Sequence, residues 1–223
     1  MNIKGVVFDF DGVLIPESEQ VNVLAARKTF ADMGLSLTEA EVGSIPGHSS
    51  KTYVPRLLQA RGISAERDTE VIATNRQNYD AIWSGWPGSV TLAPHLDEVL
   101  AHLVRMGIVL AIATTNRRSV INRFLALLLA PHPFGVIVTG EDVKRHKPDP
   151  EVYQIATKHL GMSAEHLIAV EDTVIGVQAA KAAGLRCVAI PNSFTKNQDF
   201  SQADHLLGTL EELLKLIENE RKG

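Results

Sequence analysis

Apolar residues along this chain gather into two kinds of segment. Five short runs, at residues 3–8, 108–113, 135–138, 167–170 and 186–190, are of strand length and rich in β-branched residues. A run with no regular polar position has no solvated face, which marks a strand buried on both sides of a parallel sheet. Between most of these runs lie stretches with helical periodicity, ended by glycines: 96–106 stops at Gly107, 150–160 at Gly161 and 175–183 at Gly184. Alternation of this kind predicts an α/β core built on a doubly wound, Rossmann-like parallel sheet. A last amphipathic stretch at 210–217 closes the fold, and the charged end at 218–223 is expected to fray.

Residues 18–84 break the alternation. Val21, Leu24, Ala25 and Phe30, then Val54, Leu57 and Leu58, fall at helical spacings, while Gly34, Gly47 and Gly62 interrupt them and no stretch reads as a strand. The segment is a helical insertion after the first strand. Pro87, Gly88 and Pro94 mark the return, so the expected division is a core of residues 1–16 and 88–223 carrying a helical domain at 17–87. Trp83 and Trp86 are expected to pack where the two meet. The run 124–130, ended by Pro131, reads as a buried helix far too short for a membrane span.

Composition changes this picture little. A chain of 223 residues with 45% hydrophobic and 22% charged content can bury a full globular core. A net charge of -4 and a pI near 6.1 offer no basic face for nucleic acid, whereas a small anion needs only a local positive pocket. The single cysteine, Cys187, has no partner for an internal disulfide and reads as a buried strand residue. The first apolar run is cut by Asp9 before it reaches the length of a signal core, so the expectation is a cytoplasmic protein without a membrane segment.

The chemistry lies just after the strands, because ligands of open α/β sheets bind beyond the carboxyl ends. The first run closes with Asp9-Phe10-Asp11-Gly12, the second with Thr114-Thr115-Asn116, and the fourth with Glu171-Asp172, while Lys147 follows the third at some distance. Charge at a buried strand end is costly unless it is paired. Carboxylates there call for a cation, and carboxylates, hydroxyls and one lysine together are the inventory for holding Mg²⁺ and a phosphate. Hard oxygens without a His or Cys grouping favour Mg²⁺ over Zn²⁺. Taken singly, each residue also has a plain structural role: a turn for Asp9, Asp11 and Gly12, a helix cap for Thr114 or for Glu171-Asp172, and a solvated loop for Lys147. Lys144, Arg145 and His146 read as a solvated basic loop.

As a set, these residues closely resemble the four motifs of the haloacid dehalogenase-like phosphatases. The runs Lys147-Pro148-Asp149-Pro150-Glu151-Val152-Tyr153 and Glu171-Asp172-Thr173 look like the phosphoglycolate phosphatase and beta-phosphoglucomutase branch, and the resemblance covers nearly the whole chain. It implies that the insertion is a cap and that Asp9 is a nucleophile that becomes an aspartyl phosphate, with Asp11 as general acid and base. It further implies Mg²⁺ held by Asp9, Asp172 and the Asp11 carbonyl with Glu171 behind them, and phosphate held by Thr114, Thr115, Asn116 and Lys147. The implied substrate is a small phosphorylated metabolite, with neither nucleic acid nor membrane as partner and no oligomeric state indicated. In relatives a cap loop approaches the leaving group, which makes Gly47, His48, Ser49 and Lys51 candidate substrate residues. Exposed positions at a helix start are the competing reading of His48 and Lys51.

Two features depart from the branch. Pro16-Glu17 stands where a hinge often reads Asp-Ser or Asp-Thr, and His146 replaces the glycine that commonly precedes the lysine. The proline ring stiffens its backbone at a place where closure needs freedom. A beta-phosphoglucomutase-like mutase would use the same core residues. A phosphonoacetaldehyde hydrolase needs a cap lysine from which Lys51 is displaced by one position, a dehalogenase has no use for Asp11 and Asp172, and a non-catalytic metabolite-binding or regulatory protein would not need the intact set.

Overall fold

The computed structural model describes residues 3–85, 91–128 and 131–222. Trp86, Pro87 and Gly88, with the expected boundary at 87/88, lie outside the described residues, as do the last two positions of the run 124–130. Among the described residues the chain divides into two compact units, one of residues 1–16 and 92–223 and one of residues 17–91.

The first unit is a parallel sheet in the order β3-β2-β1-β4-β5-β6, with β1 Gly5–Phe8, β2 Val109–Ala113, β3 Phe134–Val138, β4 Leu167–Glu171, β5 Arg186–Ala189 and β6 His205–Leu206. The order reverses at β1, which pairs with β2 on one side and β4 on the other. Five of these strands match the five apolar runs. The sixth, two residues long beside β5, carries no periodic signal of its own.

Alternate strand residues explain why the runs are apolar throughout. Val7, Ala111, Ala113, Leu167, Ala169, Cys187 and Ala189 form one buried face together with Val152, Tyr153 and Ala156 of α7 (Glu151–Leu160) and Val177, Ala179 and Ala180 of α8 (Val174–Ala182). The intervening Val6, Phe8, Leu110, Ile112, Ile168 and Val170 are buried too. Helix α5 (Leu96–Arg105) packs on β2 and on α9 (Leu210–Lys222), and Phe124 of α6 (Arg118–Leu125) meets Phe10 edge-on at 5.2 Å. Cys187 is buried, and burial pushes its thiol well above the ordinary range.

Two expectations are corrected. Helix α6 ends at Leu125 and Leu127 is exposed, so 124–130 is not one buried helix. Helix α9 continues to Lys222, because Arg186 pairs with Glu220 and Arg221 donates to the Met106 carbonyl at 2.7 Å. The anchoring partners lie far away in sequence, which local charge could not reveal.

The second unit is helical: α1 (Ser18–Asp32), α2 (Glu39–Gly43), α3 (Ser50–Gln59) and α4 (Asp68–Gly85), with a short 3₁₀ turn at Ala65–Arg67. Its core gathers Phe30, Ile45, Tyr53, Val54, Leu57, Leu58 and Val71, while Leu24 is partly exposed. Thr38 and Glu41 form a capping box on α2, and Arg61 holds Glu41 at 2.7 Å. Trp83 stacks on Tyr79 within α4, with centroids 6.0 Å apart. Among the described residues no helix is long and apolar enough to cross a membrane.

The extended α9 gives the first prediction. Glu220→Ala should lower stability by about 1–2 kcal/mol, because it leaves a half-buried guanidinium without its carboxylate. Urea unfolding reads this as a lower midpoint, and an unchanged midpoint would return 218–222 to a frayed tail.

Candidate active site

The loops leaving the carboxyl ends of β1, β2 and β4, together with the one after β3, bring the polar residues together. Pairing carries each strand into its loop: the Asp9 N–H donates to the Val170 carbonyl at 2.9 Å, Thr114 N–H to Val138 at 3.0 Å, and Ile190 N–H to Glu171 at 2.7 Å. Side chains at these positions therefore share one rim of a rigid sheet.

At its centre is the Lys147 ammonium. It donates to Asp9 Oδ1 at 2.8 Å, Glu171 Oε1 at 2.6 Å and the Ala113 carbonyl at 3.1 Å, which uses its three protons. The Tyr153 ring lies 5.0 Å from the ammonium, and its hydroxyl donates to Glu171 Oε1 at 2.5 Å. The solvated-loop reading of Lys147 is ruled out by its 4% exposure. Lys144 and Arg145 are exposed and His146 is half-buried. The loop is held for this purpose, since the Glu151 carboxylate accepts from the Lys144 and Arg145 N–H groups at 3.2 and 2.9 Å.

Asp9, Glu171 and Asp172 each offer a carboxylate oxygen within 4.8 Å of the others, and all three are buried. One ammonium against three buried carboxylates leaves a negative excess in a site of hard oxygens. Burial, only partly countered by Lys147 and reinforced by the charges of Glu171 and Asp11, pushes the Asp9 carboxyl up to about 7. Burial alone would lower Lys147, but Asp9 and Glu171 outweigh it and hold the ammonium above its ordinary range. The donor set thus fits a divalent cation such as Mg²⁺. Both Glu171 oxygens are engaged, Oε1 accepting from Lys147 and Tyr153 and Oε2 from the Thr173 hydroxyl at 3.4 Å.

Asp11 stands apart from that trio. The Asn116 amide donates to its two oxygens at 3.2 and 3.0 Å, while Asn116 Oδ1 accepts from Arg117 N–H at 2.8 Å. Thr114 is fully buried and its hydroxyl accepts from Asn116 N–H at 3.0 Å, so it shapes the loop and does not cap α6, whose N-cap is Arg117. The Thr115 carbonyl packs against Gly140, where a Cβ would come within 2.2 Å of it. Gly12 lies at φ +79°, and a Cβ there would fall 2.0 Å from Asp172 Oδ2 and 2.7 Å from Asn192 Nδ2. Only glycine lets the β1 loop and the β4 loop approach this closely.

Two residues of the site were not anticipated as such. Tyr153 entered only as the end of the run from Lys147, with no role assigned, and nothing local marks its hydroxyl as a partner for Glu171. Asn192 sits in a Pro191-Asn192-Ser193 turn after β5, yet its amide donates to Asp172 Oδ2 at 2.7 Å and approaches the Gly12 carbonyl at 3.4 Å. The residues Gly47, His48, Ser49 and Lys51 belong to the helical unit. There Gly47 N–H donates to the buried Glu19 carboxylate at 2.9 Å, Ser49 is the N-cap position of α3 without a capping bond from its side chain, and Lys51 is exposed. His48 is half-buried where an exposed residue was expected. Burial, aided by the Arg56 charge, lowers its pKa.

A family model described as haloacid dehalogenase-like hydrolase matches residues 6–190 of this sequence. The chain belongs to that family. Among its relatives, the protein CbbY of Cereibacter sphaeroides is 30% identical, with 95% of this chain and 94% of that protein covered. Phosphoglycolate phosphatase of Pectobacterium atrosepticum is 28% identical over 96% of this chain and 92% of its own. A solved structure of a CbbY mutant from Rhodobacter sphaeroides in complex with xylulose-(1,5)bisphosphate superimposes with a TM-score of 0.82 at 29% identity, covering 95% of this chain and 96% of that one. The resemblance drawn from the four motifs is thereby borne out at the level of the family and its branch.

The glycine notch yields a prediction. Gly12→Ala should cost about 2–4 kcal/mol of stability, from overpacking against Asp172 added to a left-handed backbone. Chemical denaturation measures it, and a variant as stable as wild type would mean that the two loops can part at little cost.

Proposed function

We propose that this chain is a Mg²⁺-dependent phosphomonoesterase that releases phosphate from a small phosphorylated metabolite through an aspartyl phosphate on Asp9. The observation that carries the reading is the single buried ammonium shared by Asp9 and Glu171 with Asp172 alongside. A cluster this negative is built for a cation and an anionic ligand, and its cost in stability has no structural return.

In this reading an Asp9 carboxylate oxygen attacks phosphorus in line, the bond from phosphorus to the ester oxygen breaks, and Asp11 gives its proton to that oxygen. Asp11 then takes a proton from water, whose oxygen attacks phosphorus and breaks the bond to Asp9, leaving inorganic phosphate. The Asn116 amide sets where the Asp11 carboxyl waits between these steps. Lys147 fixes the Asp9 oxygen it touches and opposes the charge that gathers around the phosphoryl group. Asp9, Asp172 and the Asp11 carbonyl would hold Mg²⁺, which when bound supplies positive charge against the phosphate oxygens. Glu171 supports from behind. Thr114, with the backbone at Thr115 and Asn116, would receive the phosphate.

The insertion serves in this reading as the cap, with Gly47, His48, Ser49 and Lys51 as its candidate substrate residues. The relatives support a small phosphoester as substrate: one is named phosphoglycolate phosphatase, and the structure of another is of a complex with xylulose-(1,5)bisphosphate. A phosphate-release screen over phosphoglycolate, sugar monophosphates and xylulose 1,5-bisphosphate tests the proposal. Wild type with Mg²⁺ should turn over at least one compound without any added primer, Asp9→Asn should release none, and Lys147→Ala should lose most turnover. Turnover that requires a sugar bisphosphate primer would point to a mutase, and activity surviving in Asp9→Asn would overturn the nucleophile.

The raised Asp9 carboxyl gives a second test. Its value in the fold exceeds its unfolded value, so ionisation costs stability as pH rises from its ordinary 3.8 through about 7. A cation that replaces the proton recovers that cost only where the proton has left. The rise in melting temperature on adding Mg²⁺ should therefore be larger at about pH 8 than at about pH 5 and should shrink in Asp9→Asn. Equal shifts at both values would remove Asp9 from the cation site.

A further inference from the structure

The Asn192 amide joins the loop after β5 to the loops after β1 and β4. Its orientation is set independently of the site. Asn192 Oδ1 accepts from Phe194 N–H at 2.9 Å, and its own N–H donates to Thr195 Oγ1 at 3.0 Å. With the carbonyl end committed to a backbone donor, the NH₂ end must face the other way, where Asp172 Oδ2 lies at 2.7 Å and the Gly12 carbonyl at 3.4 Å. The contact uses the notch that Gly12 opens, since a Cβ at Gly12 would come within 2.7 Å of this nitrogen.

We infer that Asn192 is a positioning residue for the cation site: by donating to Asp172 Oδ2 it fixes the rotation of the Asp172 carboxylate relative to Asp9. The inference rests on the reading that Asp9 and Asp172 hold Mg²⁺. A carboxylate that must present one oxygen to a cation loses affinity when its plane is free to turn, and partners behind a ligand typically contribute tenfold or more to metal affinity. Asp172 follows directly on β4, so its backbone is fixed by the sheet. Its side-chain rotation is what Asn192 controls. The amide donor matters here more than the turn, because serine at 192 could also accept from the N–H two residues on while being too short to reach Asp172.

Isothermal titration of the full chain with Mg²⁺, free of phosphate, tests this. Asn192→Ser should weaken Mg²⁺ binding about tenfold or more with the metal-free melting temperature near that of wild type, and turnover should be regained when Mg²⁺ is raised. Asn192→Ala removes the same donor together with the turn, and should weaken binding at least as much. A serine variant that binds Mg²⁺ like wild type, whatever its melting temperature, would reduce Asn192 to a turn residue and overturn the inference, as would lost turnover that high Mg²⁺ does not restore. Wild type that binds no Mg²⁺ would overturn both this inference and the cation reading beneath it. Wild type that binds Mg²⁺ but cleaves no phosphoester would remove the enzyme reading and leave the role of Asn192 standing.

Discussion

The charge of one ammonium decides what this rim of the sheet can be. Lys147 lies 2.8 Å from Asp9 and 2.6 Å from Glu171, deep enough that neither carboxylate has bulk water to stabilise it. Removing one member of such a buried pair commonly costs about 3–5 kcal/mol, because the partner charge remains. The same ammonium is too little for three carboxylates. The deficit fits a cation arriving from outside, and burial, with the neighbouring charges of Glu171 and Asp11 added to it, outweighs the lysine and holds the Asp9 carboxyl up at about 7.

The rest of the site distributes that constraint over separate loops. Asn116 holds Asp11 aside from the trio, Tyr153 rises from α7 to share Glu171 with the lysine, and Asn192 reaches Asp172 through the gap beside Gly12. Each partner arrives from an element already fixed by the sheet or by a helix packed on it. Two adjacent acids at the end of β4 are in this way given different surroundings: Glu171 is taken up by donors from Lys147 and Tyr153, and Asp172 meets an amide. In the proposed reading, difference of surroundings more than of residue type is what separates Glu171 as a support from Asp172 as a ligand.

What could be read in the chain beforehand was the part that sequence encodes locally. Continuous apolar runs mark strands buried on both faces, and the acids of Asp9-Phe10-Asp11-Gly12 and Glu171-Asp172 stand where those runs stop, so the strands and the core polar set were legible. Asn192 was not, because a Pro-Asn-Ser turn looks like any other turn and its partner is 20 residues upstream. Tyr153 was hidden inside a helix face whose ring is needed for the core and whose hydroxyl is needed for the site. The tail at 218–222 looked like a charged end until Arg186, on a distant strand, supplied its anchor. In each case the missing information was a tertiary contact, the one quantity that periodicity and composition do not carry.

The proposed chemistry depends on Asp9 as the group that takes the phosphoryl from the substrate. Wild-type protein mixed with Mg²⁺ and a turned-over phosphoester, quenched in acid within a single turnover and digested, locates the phosphoryl group by mass spectrometry. The expected result is an acid-stable but hydroxylamine-labile phosphoryl group on the peptide carrying Asp9, absent in Asp9→Asn. Turnover without any phosphoryl group on Asp9, or with one on another residue, would contradict it.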